Sequence, residues 1–402
     1  MALAEVPALL ILVGLAAYVV LAGADFGAGL WYLLAGPRRG GRAVRDFTYH
    51  AMAAVWEANH VWLIFVLVVC WTAYPTVFGS IASTLVLPLF VAAVGIILRG
   101  TAYALRSGAA PDRESEGIVG FVFGVSSILT PFALGAAIGG IASGRVPVGN
   151  AEGDLVTSWL NGTSLAVGTI AVATSGYLAA VYLAGDAARR GDGPLAAAFR
   201  ARALATGAMT GLLAVAGLVV LRVGARSLFD DLVGGAALVA VLASGAAGLA
   251  TLALVRASRY EPARLSAAIA VAAIIAGWGL AQKPRLLPGL TIEQAAAGHA
   301  TLVALLVSIA VGLVVLIPSL ALLFGLVLRG RFDESPEVAS PANPRVAAPR
   351  PLLPVAAGLL VVGLPLALLG EGAVLGTGVA ALVGFIVVGA LALLDPARLA
   401  DD

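Results

Sequence analysis

Two acids stand inside long apolar stretches, where each needs a reason. Asp25 sits in GADFGAGLW and Glu57 in WEANHVWLIF. An ionisable side chain deep in an apolar span costs on the order of 2.5–3.5 kcal/mol on insertion scales, so it is normally paired or does work. A carboxyl in weakly hydrated surroundings can carry protons near neutral pH. The plainer reading is a structural ion pair, or an acid satisfied by loops near the headgroups. Glu57 has Asn59 and His60 close by on the same helix, and His60, one turn along, is within reach of a hydrogen bond to it. Arg99, at the inner end of the third apolar stretch, either snorkels toward the headgroups or neutralises one of the two carboxyls.

Other chemistries lack their residues. The three histidines are His50, His60 and His299, and there are three methionines. Haem needs axial His or Met, so a haem is not signalled, and no two histidines stand at i, i+4 as a helical zinc motif would place them. A structural role is the expectation for each histidine, with His50 interfacial. The lone Cys70 excludes an internal disulfide, an iron–sulfur cluster, a cysteine zinc site and covalent haem attachment through two thiols. Net charge is +2 and no basic block suggests nucleic acid.

The elements that hold these residues are transmembrane helices. Of 402 residues 61% are hydrophobic and 11% charged, and mean hydropathy is +1.02. Soluble domains carry about a quarter charged residues, and a water-soluble fold could not hide this much apolar surface. The runs stay apolar for about 20 residues without the alternation of barrel strands, so they read as helices. Nine spans are expected near 6–34, 51–72, 77–98, 117–142, 158–184, 199–221, 232–255, 265–281 and 299–328. The first carries Glu5 instead of a positive leader and runs past residue 30, so it reads as a span and not as a signal peptide. A polar, Pro-rich stretch follows, and apolar runs at 355–369 and 373–394 form a hairpin around Glu371. The expected fold is an all-α integral membrane bundle. Its parts are a nine-helix domain (1–330), a cytoplasmic linker (331–354) and a C-terminal transmembrane hairpin (355–402).

Basic residues test the count. Those following the odd-numbered spans, with Arg398, make 19 on one side, including Arg38, Arg39, Arg42, Arg45 and Arg99. The other side has five: Arg145, Arg222, Arg226, Lys283 and Arg285. The positive-inside rule then puts the N-terminus outside and the C-terminus in the cytoplasm. Asp25 and Glu57 fall roughly 14 Å and 9 Å from the cytoplasmic ends of adjacent spans, at 1.5 Å per residue, deep enough to share one half-channel. Small residues at Gly23/Gly27 and Gly135/Gly139 would let helix backbones approach closely. Trp56, Trp62, Trp71 and Trp278 fall near span ends, as interfacial anchors do.

Several blocks together resemble subunit II of cytochrome bd-type quinol oxidases: GADFGAGLW, WEANHVWLIF with Tyr74-Pro75 after it, WLNGTSLAVGTIAVATSGYLAAVYL from Trp159, and WGLAQKPRLLPGLTIEQAAAGHATL from Trp278. The resemblance covers residues 1 to about 330. It implies a complex of the bacterial or archaeal cytoplasmic membrane that oxidises quinol at the outer face and reduces oxygen to water with cytoplasmic protons. Subunit I, the heterodimeric partner, would carry the b- and d-type haems and the quinol site, and this chain would bind no cofactor. The family's acids in spans 1 and 2 are implicated in a proton path. Asp25 takes the first position and Glu57 the second, where the family commonly has Asp and where Gly often follows in place of Ala58. Asn59 and His60 would line the same path, with Arg99 as charge partner. The hairpin after 355 departs from the usual family length; its expected place is over a surface where other complexes put a small single-span accessory subunit. The alternative is a proton-coupled secondary transporter, but no internal repeat stands out, as transporters often have. A purely structural scaffold would leave the cost of Asp25 and Glu57 unexplained.

Overall fold

A computed structural model describes residues 2–36, 39–53, 56–107, 113–328, 352–369 and 372–393. The chain divides into two units, Met1–Phe332 and Asp333–Asp402. In the first unit, α1 (Glu5–Leu34) ends in a tight turn at Gly36, whose φ of +69° lies in the left-handed region that favours glycine. The turn leads into α2 (Arg39–Ala53), a helix of mixed composition. Val44, Phe47 and Thr48 are buried, while Arg42, Asp46 and His50 are exposed. This i, i+3, i+4 pattern is that of a helix with one apolar face. Residues 51–53, expected to begin the second span, therefore belong to α2. The span itself is α3 (Trp56–Ala73).

The third expected span is broken in two, α4 (Pro75–Thr84) and α5 (Val86–Ser107), with buried Leu85 between them. Pro88 is the cause: its ring has no N–H and clashes with the carbonyl four residues back, at Thr84. Then come α6 (Arg113–Ala142), α7 (Gly162–Arg189), α8 (Gly193–Gly224), the short α9 (Arg226–Leu232), α10 (Gly235–Arg256) and α11 (Tyr260–Gln282). The Asn161 side chain caps α7 by accepting from the Ser164 N–H at 3.1 Å, which moves the start of that span from the expected 158 to 162. A small antiparallel hairpin, β1 (Arg285–Leu287) and β2 (Leu290–Thr291), leads to α12 (Ile292–Ala295) and the long α13 (His299–Leu328). A capping box between Thr291 and Gln294 opens α12.

Among the described residues eight helices are long and apolar enough to cross a membrane; the apolar stretch of α3, Asn59–Ala73, is shorter. The chain is thus an all-α, multi-pass membrane protein. Its largest apolar core joins α1, α2, α7, α8, α10 and α11 through Trp31, Phe47, Leu178, Phe199, Val255 and Val271. Close backbone approach makes the core. A Cβ on Gly27 would lie 1.9 Å from the Ser175 carbonyl oxygen of α7, and one on Gly139 would lie 2.5 Å from Ser164 Cα. The sequence pairs Gly23/Gly27 and Gly135/Gly139 thus lie where α1 and α6 meet α7.

The second unit contributes α14 (Leu352–Leu369) and α15 (Ala373–Leu393), packed as a hairpin. Gly363 lets them close, since its Cβ would meet Ala381 Cβ at 3.0 Å. Glu371 and the linker as far as residue 351 lie outside the described residues.

Candidate functional site

Asp25 of α1 and Arg99 of α5 meet inside the first unit, and both side chains are fully buried. Arg99 Nη2 donates to Asp25 Oδ1 at 2.5 Å and to the Asp25 carbonyl oxygen at 2.7 Å, while Nε donates to Oδ2 at 3.2 Å. Arg99 Nη1 donates to Ser127 Oγ of α6. The Tyr103 hydroxyl, one turn beyond Arg99 on α5, accepts from Nη2 at 3.3 Å and donates to Asp25 Oδ1 at 3.1 Å. Both carboxylate oxygens and every guanidinium nitrogen thus have partners. The rings of Phe26, Tyr103 and Phe123 surround the guanidinium, with Phe123 nearest at 4.4 Å from ring centre to Cζ. Gly29 makes room for it: a Cβ there would stand 2.0 Å from Ser127 Oγ and 2.7 Å from Arg99 Nη1.

Arg99 therefore does not snorkel, and it does not belong among the span-end arginines. The geometry answers the cost of a buried charge with an opposite charge and full hydrogen bonding, the only terms on which such a pair is tolerated. Within this chain the Asp25 side chain has no exposed surface. Tyr103 and Ser127 escaped the sequence reading. Tyr103 carried a signal, since it stands at i+4 from Arg99 on one helix face. Ser127 carried none, because its place depends on how α6 packs on α1 and α5.

Around this pair stand the α3 residues. Asn59 Nδ2 donates to the Leu21 carbonyl oxygen of α1 at 3.4 Å. Lower on the same helices, a Cβ on Gly14 would meet Phe65 and Val66 at 2.9 Å. These two contacts fix α1 and α3 as antiparallel and set their register, and Glu57 falls about level with residue 23. That is within about 3 Å of the height of Asp25, at 1.5 Å per residue. The side chain of Glu57 lies outside what the structure describes. The sequence placed Glu57 about six residues into its span; it instead stands in the first turn of α3. His60 is edge-on to Tyr18 and Phe26 of α1, each ring centre 5.9 Å away. His50 is exposed on α2, its Nδ1 2.7 Å from the Asp46 carbonyl oxygen, and His299 opens α13 in an exposed position.

A buried acid–arginine pair reached from two neighbouring spans can be structural in many membrane proteins, and only wider comparison distinguishes them. Residues 3–327 match the sequence profile of the family described as Cytochrome bd terminal oxidase subunit II. The chain belongs to that family. Its fold is similar to a chain of the bd oxidase from Geobacillus thermodenitrificans, with a TM-score of 0.69 and 25% identity over 83% of this chain and 100% of that one. The comparison with curated protein sequences gives no match. As a bd-oxidase subunit II the chain is one component of a quinol oxidase complex that contains haem and works beside a subunit I. The family match ends at 327, so the α14–α15 hairpin lies beyond it.

A haem takes an axial His or Met from the chain that holds it. His60 stands edge-on to the rings of Tyr18 and Phe26. Among the described residues no three His, Cys, Asp or Glu side chains gather as a metal site.

Proposed function

We propose that this chain is a haem-free subunit of a cytochrome bd-type quinol:oxygen oxidoreductase, and that Glu57 passes cytoplasmic protons toward the oxygen-reducing site of the haem-carrying partner. The observation that carries the reading is the register of α1 and α3, which brings the Glu57 backbone level with the Asp25–Arg99 pair. Reduction of oxygen consumes protons, and a bare ion is unstable in the bilayer interior. A carboxyl can take up and release a proton in place. Asp25 is committed to Arg99, so its part is to hold a fixed charge pair beside the path, with Asn59 and His60 along the same helix as Glu57. The distribution of basic residues favours the cytoplasmic membrane with the N-terminus outside.

The test is Glu57→Gln in the assembled complex. Oxygen consumption normalised to haem should fall by at least about tenfold, a general acid–base role being worth 10²–10⁴-fold, while haem content stays unchanged. Glu57→Asp should retain most of the rate. Wild-type turnover in a correctly assembled Glu57→Gln complex returns Glu57 to a structural role.

A further inference from the structure

At the end of the bundle that carries α2 there is a cleft of about 340 Å³ whose walls differ in kind. One wall is apolar and belongs to α1 and α6: Leu33, exposed Phe121, the open backbone of Gly117, and Gly120, which is closed over by the Tyr32 ring. A Cβ on Gly117 would meet nothing within 4 Å, so the cleft floor is unfilled there. The other wall is Arg42 and Arg45 of α2, with Asp46 beside them. Arg45 Nη1 donates to the Gly36 carbonyl oxygen at 2.6 Å, which fixes the guanidinium and leaves its other N–H groups available. Arg42 is exposed one turn before Asp46.

We propose that this cleft binds the phosphate headgroup of an anionic membrane phospholipid. Helix α2, buried on one face and charged on the other, is built as an interfacial helix is. It holds two arginines over a groove between transmembrane helices, an arrangement that suits acidic headgroups. Phosphate takes paired N–H donors from arginine with good geometry. Among the described residues the lining carries two positive side chains and one negative, a net attraction for a phosphate of charge −1. Asp46 is placed to accept a hydrogen bond from a headgroup hydroxyl, and the acyl chain follows the groove past Gly117 and Phe121 toward the bilayer. The lipid would lock α2 against α1 and α6 over Tyr32, whose ring packs on Phe123 at 5.4 Å, and Phe123 in turn covers the Arg99 guanidinium. The inference is independent of the proton path.

The experiment uses the whole oxidase complex, stripped of lipid in detergent and analysed by native mass spectrometry against added phosphatidylglycerol, phosphatidylethanolamine and inorganic phosphate. Wild type should hold phosphatidylglycerol, and Arg42→Ala/Arg45→Ala should weaken that binding by about tenfold or more, as loss of charge-assisted hydrogen bonds predicts. Gly117→Leu fills the groove without touching charge and should weaken it as well. If the double variant fails to assemble, Arg42→Gln with Gly117→Leu decides. Undiminished phosphatidylglycerol binding in these variants overturns the proposal. Equal binding of phosphatidylethanolamine also overturns it, as does displacement of the lipid by inorganic phosphate alone, which would mark a small-anion site.

Discussion

Asp25 and Arg99 show why removing a charge from a membrane interior differs from never placing one there. Each satisfies the other completely, so loss of one leaves a buried ion with no water to turn to. Breaking such a pair typically costs about 3–5 kcal/mol, whereas replacing both partners with apolar residues is often neutral or stabilising. Asp25→Asn should therefore lower the yield and thermal stability of the complex sharply, because Arg99 stays charged against an amide. Asp25→Leu/Arg99→Met should recover much of that stability in a thermal-unfolding assay of the purified complex. Should the double variant be as unstable as the single one, the pair is held by more than mutual neutralisation, and Tyr103 and Ser127 become the residues to vary next. The readout separates this pair from the proposed role of Glu57: the pair should act on assembly and unfolding, whereas Glu57→Gln should act on turnover per haem.

At the scale of elements, apolar length was easy to read and helix ends were not. Spans 1, 4, 7 and 9 fall close to α1, α6, α10 and α13, because an uninterrupted apolar run of a bilayer's thickness has one solution. The break at Leu85 was written in Pro88, but a proline inside a span is also compatible with a mere kink, and only packing tells the two apart. Helix α2 was missed because its arginines look like loop charge; its buried face at Val44 and Phe47 shows only against Phe199 and the end of α7. Of the site, Asp25, Glu57 and Arg99 could be nominated by the cost of burying charge, and Asn59 and His60 by lying beside Glu57 on one helix, but the partner of Asp25 depends on a contact across 74 residues of sequence. The α14–α15 hairpin is the element least tied to the family pattern, lying beyond the matched region. Truncation at about residue 345 should leave haem-normalised oxygen consumption largely intact, with weaker assembly as the main cost. A fully assembled truncated complex without turnover would give the hairpin a role in the reaction.

For the whole molecule, contacts sort the helix ends into two groups independently of charge. At one end Phe47 packs on Phe199 at 5.9 Å, Arg200 donates to Ser258 at 3.1 Å, and Arg189 pairs with Glu261 at 2.5 Å. This end gathers α2, the α7–α8 turn and the α10–α11 turn. At the other, Lys283 pairs with Glu5 at 2.6 Å, the Gly149 N–H donates to Ser80 at 2.9 Å and the Ala297 N–H donates to the Ala73 carbonyl at 2.8 Å. The second end joins the start of α1, the close of α3, the loop after α6 and the β-hairpin before α13. Arg99 drops out of the charge tally, since it is buried with Asp25, yet the arginines of the first end still far outnumber those of the second. Basic residues flanking spans are held back in the cytoplasm during insertion, so the first end should face the cytoplasm. Reporter fusions after residue 45 and at residue 340 should therefore report cytoplasm, and one at Gly149 the outside. A cytoplasmic signal at Gly149 would reverse the molecule and put Glu57 on the wrong side for a cytoplasmic proton source. An outside signal at 340 alone would instead mean that one crossing in the first unit has been misassigned, with the orientation of α1 and α3 left as proposed.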